Sequence, residues 1–194
     1  MIRISELDRY SVHKDLPAKR YARGFQRPRI LLSRTYLEIA IRSYGGKPKI
    51  SELGCGVLDI SGPYAAEKAR VTGYDFNKQC VIRARNEYKS SIVNLIDLKD
   101  VESIDCDILI ACEVLEHMQD PVSTIKRLSK NAKYLIISHP INEGPGSKIT
   151  NGIHCWCFSE FDFKEWFHAN GFNIIESEYF DNGKLHSMIG IGTK

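Results

Sequence analysis

Glu52, Gly54, Gly56 and Asp75 are the residues of this chain whose types and spacing could bind a ligand and organise chemistry on it. The run Ile50-Ser51-Glu52-Leu53-Gly54-Cys55-Gly56 reads as a short apolar strand that ends on a carboxylate and turns through two glycines. Backbone without side chains at such a turn lets a ligand lie against the main chain. Nineteen residues past Gly56, the run Val71-Thr72-Gly73-Tyr74-Asp75 ends on a second carboxylate, one that could accept both hydroxyls of a ribose. The two strand ends together describe a nucleoside pocket. A dinucleotide loop wants a third glycine three positions after the second, where this chain has Asp59. A phosphate-binding P-loop wants Gly-Lys-Ser/Thr, where it has Gly56-Val57-Leu58. A pyrophosphate would also be repelled by Glu52. S-adenosylmethionine, with an ammonium and a sulfonium beside its adenosine, would be welcomed there.

At these residues the chain resembles the class I S-adenosylmethionine-dependent methyltransferases. Glu52-Leu53-Gly54-Cys55-Gly56 looks like their glycine-rich first motif, Asp75 matches their ribose-binding acid, and Cys106 to His117 looks like their fourth strand. The ending Glu113-Val114-Leu115-Glu116-His117, followed by Asp120-Pro121, is similar to the small-molecule enzymes of the ubiquinone-biosynthesis type. Many members carry a third glycine two residues after the second; this chain has Leu58.

The resemblance implies a cofactor site built from Glu52 toward the ammonium, the Gly54-Cys55-Gly56 backbone at the methionine portion, and Asp75 on the ribose. Phe76 would cover the adenine, Asp97 would accept its amino group, and Ile96 and Leu98 would wall it. Cys112 and Glu113 would line the methionine side, and Arg20 or Tyr21, before the first strand, would bind or cover the cofactor carboxylate. Methyl transfer from a sulfonium is an in-line displacement, so the protein must align a nucleophile and exclude water. A hydroxyl acceptor also benefits from a general base, and His117, His139 and His154 are the candidates, all near predicted strand ends. The run His154-Cys155-Trp156-Cys157 lacks the second cysteine pair of a zinc site, so no metal is expected. The products would be a methylated acceptor and S-adenosylhomocysteine.

Those residues need a sheet to hold them. The expected fold is α/β, a doubly wound, mostly parallel seven-stranded sheet of Rossmann-like type with an antiparallel last strand. The predicted strands are 49–53, 71–74, 91–95, 107–112, 134–138, 173–179 and 187–192. Helices are predicted from Pro28 to the Gly45-Gly46 stop, over 62–70 with Ser61 as cap, over 78–88, from Asp120-Pro121 to about Lys130, and over 158–170. Asp181-Asn182-Gly183 reads as a hairpin turn. The reading divides the chain into an N-terminal arm and helix, 1–46, and a methyltransferase domain, 47–194.

Composition bounds the partners. The 194 residues are 43% hydrophobic and 26% charged, ordinary for a globular protein, and no run is apolar enough to span a bilayer. No apolar leader follows Met1, and six scattered cysteines fit a reduced, cytoplasmic protein better than a disulfide framework. Residues 1–50 hold twelve Lys/Arg against four Asp/Glu, and residues 51–194 hold fifteen against twenty. A basic leader on an acidic body suits an anionic partner. The leading expectation is a small-molecule or glycan-linked acceptor, anionic in part, methylated on oxygen or nitrogen. The rivals are an RNA methyltransferase that uses the basic arm, and a catalytically inactive binding subunit with the same fold.

Overall fold

A computed structural model of the chain describes residues 2–3, 27–141, 154–181 and 186–194. The expected arm, with Arg20 and Tyr21, the Asn182-Gly183 turn and most of the loop before His154 lie outside those residues.

Strand β1 (Ile2–Arg3) pairs antiparallel with β7 (Trp156–Cys157) in a small ribbon of its own. The main sheet contains β2 (Lys49–Leu53), β3 (Arg70–Asp75), β4 (Ile92–Leu95), β5 (Ile108–Cys112), β6 (Tyr134–Pro140), β8 (Asn173–Asp181) and β9 (His186–Thr193). Its order is β4-β3-β2-β5-β6-β9-β8, and β9 runs antiparallel to both of its neighbours. The seven strands and the reversed last strand are those expected from the sequence. Order reverses between β2 and β5, so the carboxyl ends of those two strands flank the crevice in which open α/β sheets bind ligands.

Strand parity sorts the side chains between two cores. Ile50 of β2, Ile108 and Ile110 of β5, and Ile136 of β6 face a cluster that includes Tyr36, Leu37 and Ala40 of helix α1 (Arg27–Tyr44) and Val81 and Ala84 of α2 (Lys78–Glu87). Leu53, Leu109, Leu135 and Ile137 face the other cluster, with Ile125 and Leu128 of α3 (Pro121–Leu128) and Phe163, Trp166 and Phe167 of α4 (Glu160–His168). Helix α1, grouped with the arm by the sequence, thus packs into the same core as the sheet.

Local chemistry starts and stops these helices. Pro28 occupies the first turn of α1, where a missing N–H costs nothing, and Gly45 at φ +77° ends it in the left-handed region. Asn77 caps α2 by accepting from Gln79 N and Cys80 N, and Asp120 caps α3 by accepting from Ser123 N. Ser159 and Asp162 form a reciprocal capping box at α4.

One expected element is absent. Residues 62–70 form a 3-10 turn at Gly62–Tyr64 followed by tight turns, with Ala66 at φ +71°, rather than a helix. Ser61 makes no cap bond there. The reason is length. Strand β3 begins at Arg70, so after the glycine turn too few residues remain for a helix and its return loop.

Candidate functional site

The glycine turn closes through the second carboxylate. Gly54 and Gly56 have φ of +57° and +53°. A Cβ on Gly54 would sit 2.5 Å from Val114 Cγ2, so the turn lies directly on the segment that follows β5. Cys55 N donates to Tyr74 O at 3.1 Å, and Gly56 N donates to the Asp75 carboxylate at 2.7 Å. Asn77 N donates to the other Asp75 oxygen at 2.7 Å. Burial raises the Asp75 pKa, while these N–H bonds and that of Phe76 oppose the rise.

Leu58 answers how the loop closes without a further glycine. It takes the left-handed conformation itself, at φ +63°, and Leu58 N donates to Cys55 O at 2.7 Å. Left-handed backbone costs a non-glycine residue about 1–2 kcal/mol. The side chain is fully buried, and its Cδ1 lies 2.8 Å from where a Gly73 Cβ would be. Burying a leucine contributes about 1.5–3 kcal/mol, enough to offset the strain.

Glu52 is buried at 3% exposure on the α1 face of β2. Ser61 N and Oγ donate to its Oε2 at 2.9 and 2.5 Å. Desolvation pushes the Glu52 carboxyl up to about 7, against the pull of the Ser61 hydrogen bonds and the Arg29 charge. Ser61, expected as a helix cap, instead orients this carboxylate.

Helix α1 supplies residues that the sequence reading missed. Arg29 Nη1 donates to Cys112 O at 3.5 Å, and Ser33 Oγ lies 3.4 Å from Cys112 Sγ. Arg29 and Ser33 are one turn apart, so one face of α1 covers the ends of β2 and β5. Arg34 bonds Asp59 O through Nε at 2.9 Å and through Nη2 at 2.5 Å, which ties α1 to the glycine loop. Among the described residues, Arg29 Nε is buried without a hydrogen-bond partner. A buried donor on a guanidinium beside the end of β5 fits the carboxylate of an amino-acid ligand. The Arg29/Ser33 spacing was the available signal, hidden by the more basic run at 19–23.

On the other flank, Ile96 N donates to Asp75 O at 2.9 Å, so 96–98 sits beside Asp75. Leu98 is buried and Ile96 packs partly into the second core. The Asp97 carboxylate accepts from Lys99 N at 3.1 Å, capping the 3-10 turn Leu98–Asp100. Asp97, Leu98 and Lys99 share a surface cleft with Met118, Gln119, Asp120 and Thr124. Phe76, half-buried, follows Asp75 directly. Glu113 turns away from β5 at φ +54°, its N–H donating to Ser138 O and its Oε1 accepting from Ser138 Oγ at 3.1 Å. Cys112 is buried, and desolvation raises its thiol to about 11, so it is an inert wall.

The three histidines separate. Strand parity turns His139 to the α4 side, fully buried, with its ring 4.6 Å from Phe158 and 5.4 Å from Phe163. Desolvation lowers its pKa to about 4. His117 and His154 meet edge to face at 4.8 Å, beside the turn that follows β5. Cys155 N donates to Glu116 O at 2.7 Å and Trp156 Nε1 to Met118 O at 2.8 Å, which bolts the two segments together.

The chain matches the family model described as a methyltransferase domain over residues 31–177, well over half its length. None of the curated proteins matches it. Its fold is similar to magnesium protoporphyrin IX methyltransferase from Synechocystis solved with bound SAM, at 19% identity and TM-score 0.74, over all of both chains. It is similar to a SAM-dependent methyltransferase from Methanosarcina mazei at 16% identity and TM-score 0.62, over 79% of this chain and 96% of that one. It is also similar to the cyclase SpnF at 16% identity and TM-score 0.66, over 84% of this chain and 80% of that one. From its family match, its strand order and its glycine turn, the chain belongs to the class I S-adenosylmethionine-dependent methyltransferase family.

Proposed function

We propose that the protein transfers a methyl group from S-adenosylmethionine to oxygen or nitrogen of a small-molecule or glycan-linked acceptor. The observation that carries this reading is the meeting of Glu52, the Gly54–Gly56 turn and Asp75 at the point where strand order reverses. Glu52 faces the ammonium, Arg29 takes the carboxylate, and the open turn lies along the methionine portion. Asp75 accepts from the ribose hydroxyls while its backbone contacts hold the carboxylate in place. Ile96, Leu98 and Phe76 flank the base. When bound, S-adenosylmethionine supplies a methyl group already activated by its sulfonium. The protein's own part is then to hold the acceptor in line and keep water out.

Of the three histidines, His117 and His154 serve the acceptor side, a reading supported by their contact beside the turn that follows β5. His139, sealed between Phe158 and Phe163, serves the core. Buried thiols outside any disulfide at Cys55, Cys80, Cys106 and Cys112 suit a reducing compartment, the cytoplasm. No helix among the described residues is long and apolar enough to cross a membrane.

The test supplies S-adenosylmethionine labelled on its methyl group and separates small metabolites, glycans and RNA after reaction. Label in the small-molecule or glycan fraction supports the proposal. Label confined to RNA would replace it with the nucleic-acid reading. Cofactor bound with no label transferred to any fraction would leave the inactive binding subunit.

A further inference from the structure

The turn after β5 and the segment entering β7 bring His154 to the adjacent pair Glu116 and His117, which the sequence keeps 38 and 37 residues away. Glu116, His117 and His154 each present one ligand atom, and these atoms all lie within 4.8 Å of one another. His117 Nε2 is 3.7 Å from Glu116 Oε1. The Glu116 side chain is 1% exposed and that of His117 15% exposed, so the cluster is largely shielded from water. The two rings meet edge to face at 71° rather than stacking.

We infer that Glu116, His117 and His154 form a site for one first-row divalent cation, zinc foremost, which holds the acceptor's hydroxyl oxygen. Two neutral imidazoles and a carboxylate are a donor set for Zn²⁺ and its neighbours, and not for Mg²⁺ or Ca²⁺, which take oxygen. Bonds of about 2.0–2.2 Å place tetrahedral ligands roughly 3.3–3.5 Å apart. Closing the cluster from 4.8 Å therefore needs about 1.3–1.5 Å of side-chain movement. The Cys155 and Trp156 hydrogen bonds to 116 and 118 already hold the two segments in register. His154 neighbours Cys155 and Cys157 in sequence, but the fold pairs it with Glu116 and His117, while both cysteines are buried.

Three protein ligands leave a position open, as in catalytic zinc sites. Glu116 and His117 lie two and three residues past Val114, whose side chain rests against the glycine turn, so the same segment links the cluster to the donor site. This role rests on the methyltransferase reading; metal binding itself does not. A hydroxyl bound to the metal loses its proton to water, and the pKa of such an oxygen falls by several units. The oxygen then forms a bond to the methyl carbon as the carbon–sulfur bond breaks, with that electron pair leaving on sulfur. Nothing is oxidised or reduced. The metal replaces a histidine base, and the acceptor becomes an alcohol or phenol rather than an amine.

The test uses the full chain, stripped with a chelator and titrated with Co²⁺ and Zn²⁺, with bound metal counted by atomic emission. S-adenosylhomocysteine binding is measured on the same samples by calorimetry. One metal per chain is expected, with affinity at least tenfold weaker in His154→Ala and His117→Ala. The His154→Ala chain should keep its S-adenosylhomocysteine affinity, which also shows that it is folded. Glu116→Gln serves as a third variant. No stoichiometric uptake of Co²⁺ or Zn²⁺ when the stripped wild type is titrated, or equal affinity in His154→Ala, overturns the site. Metal bound normally with no S-adenosylhomocysteine binding would leave the site standing and remove the methyltransferase reading instead.

Discussion

Replacing Glu52 by Gln tests the electrostatics of the cofactor site. Burial holds the Glu52 carboxyl up to about 7, and Ser61 and Arg29 only partly restore the ionised form. An ammonium arriving beside it favours the carboxylate, so binding must expel the proton wherever Glu52 is still protonated. At pH 6 a group with a pKa of about 7 is roughly 0.9 protonated, and at pH 8 roughly 0.1. Binding at pH 6 should therefore release close to one proton, and the apparent dissociation constant should weaken about tenfold between pH 8 and pH 6. Calorimetry with S-adenosylhomocysteine in two buffers of different ionisation enthalpy counts that proton directly. Asp75 also has a raised carboxyl, so the informative quantity is the difference between wild type and Glu52→Gln, in which Asp75 is unchanged. The variant should bind more weakly at pH 8 and lose most of the pH dependence below 7. Equal proton release by wild type and variant at pH 6 would refute the assignment of Glu52 to the cofactor's cationic end.

Further outcomes follow from the same geometry. Gly54→Ala puts a methyl 2.5 Å from Val114 Cγ2 at a φ of +57°, so it should cost about 1–3 kcal/mol by thermal denaturation and abolish cofactor binding. Leu58→Gly removes about 1–2 kcal/mol of left-handed strain but also a fully buried leucine worth about 2–5 kcal/mol, so denaturant melts should show net destabilisation. His139 is held neutral when folded, with its pKa lowered from 6.5 to about 4. Its stabilisation is present above pH 6.5 and is lost as pH falls toward 4, by about 3 kcal/mol, because only the unfolded chain takes up the proton in that window. Glu52 acts with the opposite sign, so urea melts of Glu52→Gln should show the His139 slope and those of Glu52→Gln/His139→Gln should not.

Much of this fold was legible because its strands are short apolar runs with sharp ends. Glu52, Gly54 and Asp75 stood out for the same reason: a carboxylate or glycine at the tip of an apolar run has no packing role to explain it. The segment at 62–70 misled because its residues are compatible with a helix, and only the start of β3 at Arg70 excludes one. His139 misled because β6 is buried on both faces, and such a strand has no alternation to show which way a residue points. Arg29 and the Glu116–His117–His154 cluster depend on how α1 and the loop before β7 dock, and no local pattern encodes contacts across 37 or 83 residues.

The central claim is that Glu52, the glycine turn and Asp75 form one S-adenosylmethionine site. Its most direct test is titration calorimetry of the purified chain with S-adenosylmethionine and S-adenosylhomocysteine, beside Asp75→Ala. The geometry predicts one site per chain with a micromolar dissociation constant, about −8 kcal/mol, and loss of binding in the variant. Absence of binding of either ligand to the folded wild type, or unchanged binding in Asp75→Ala, would contradict it.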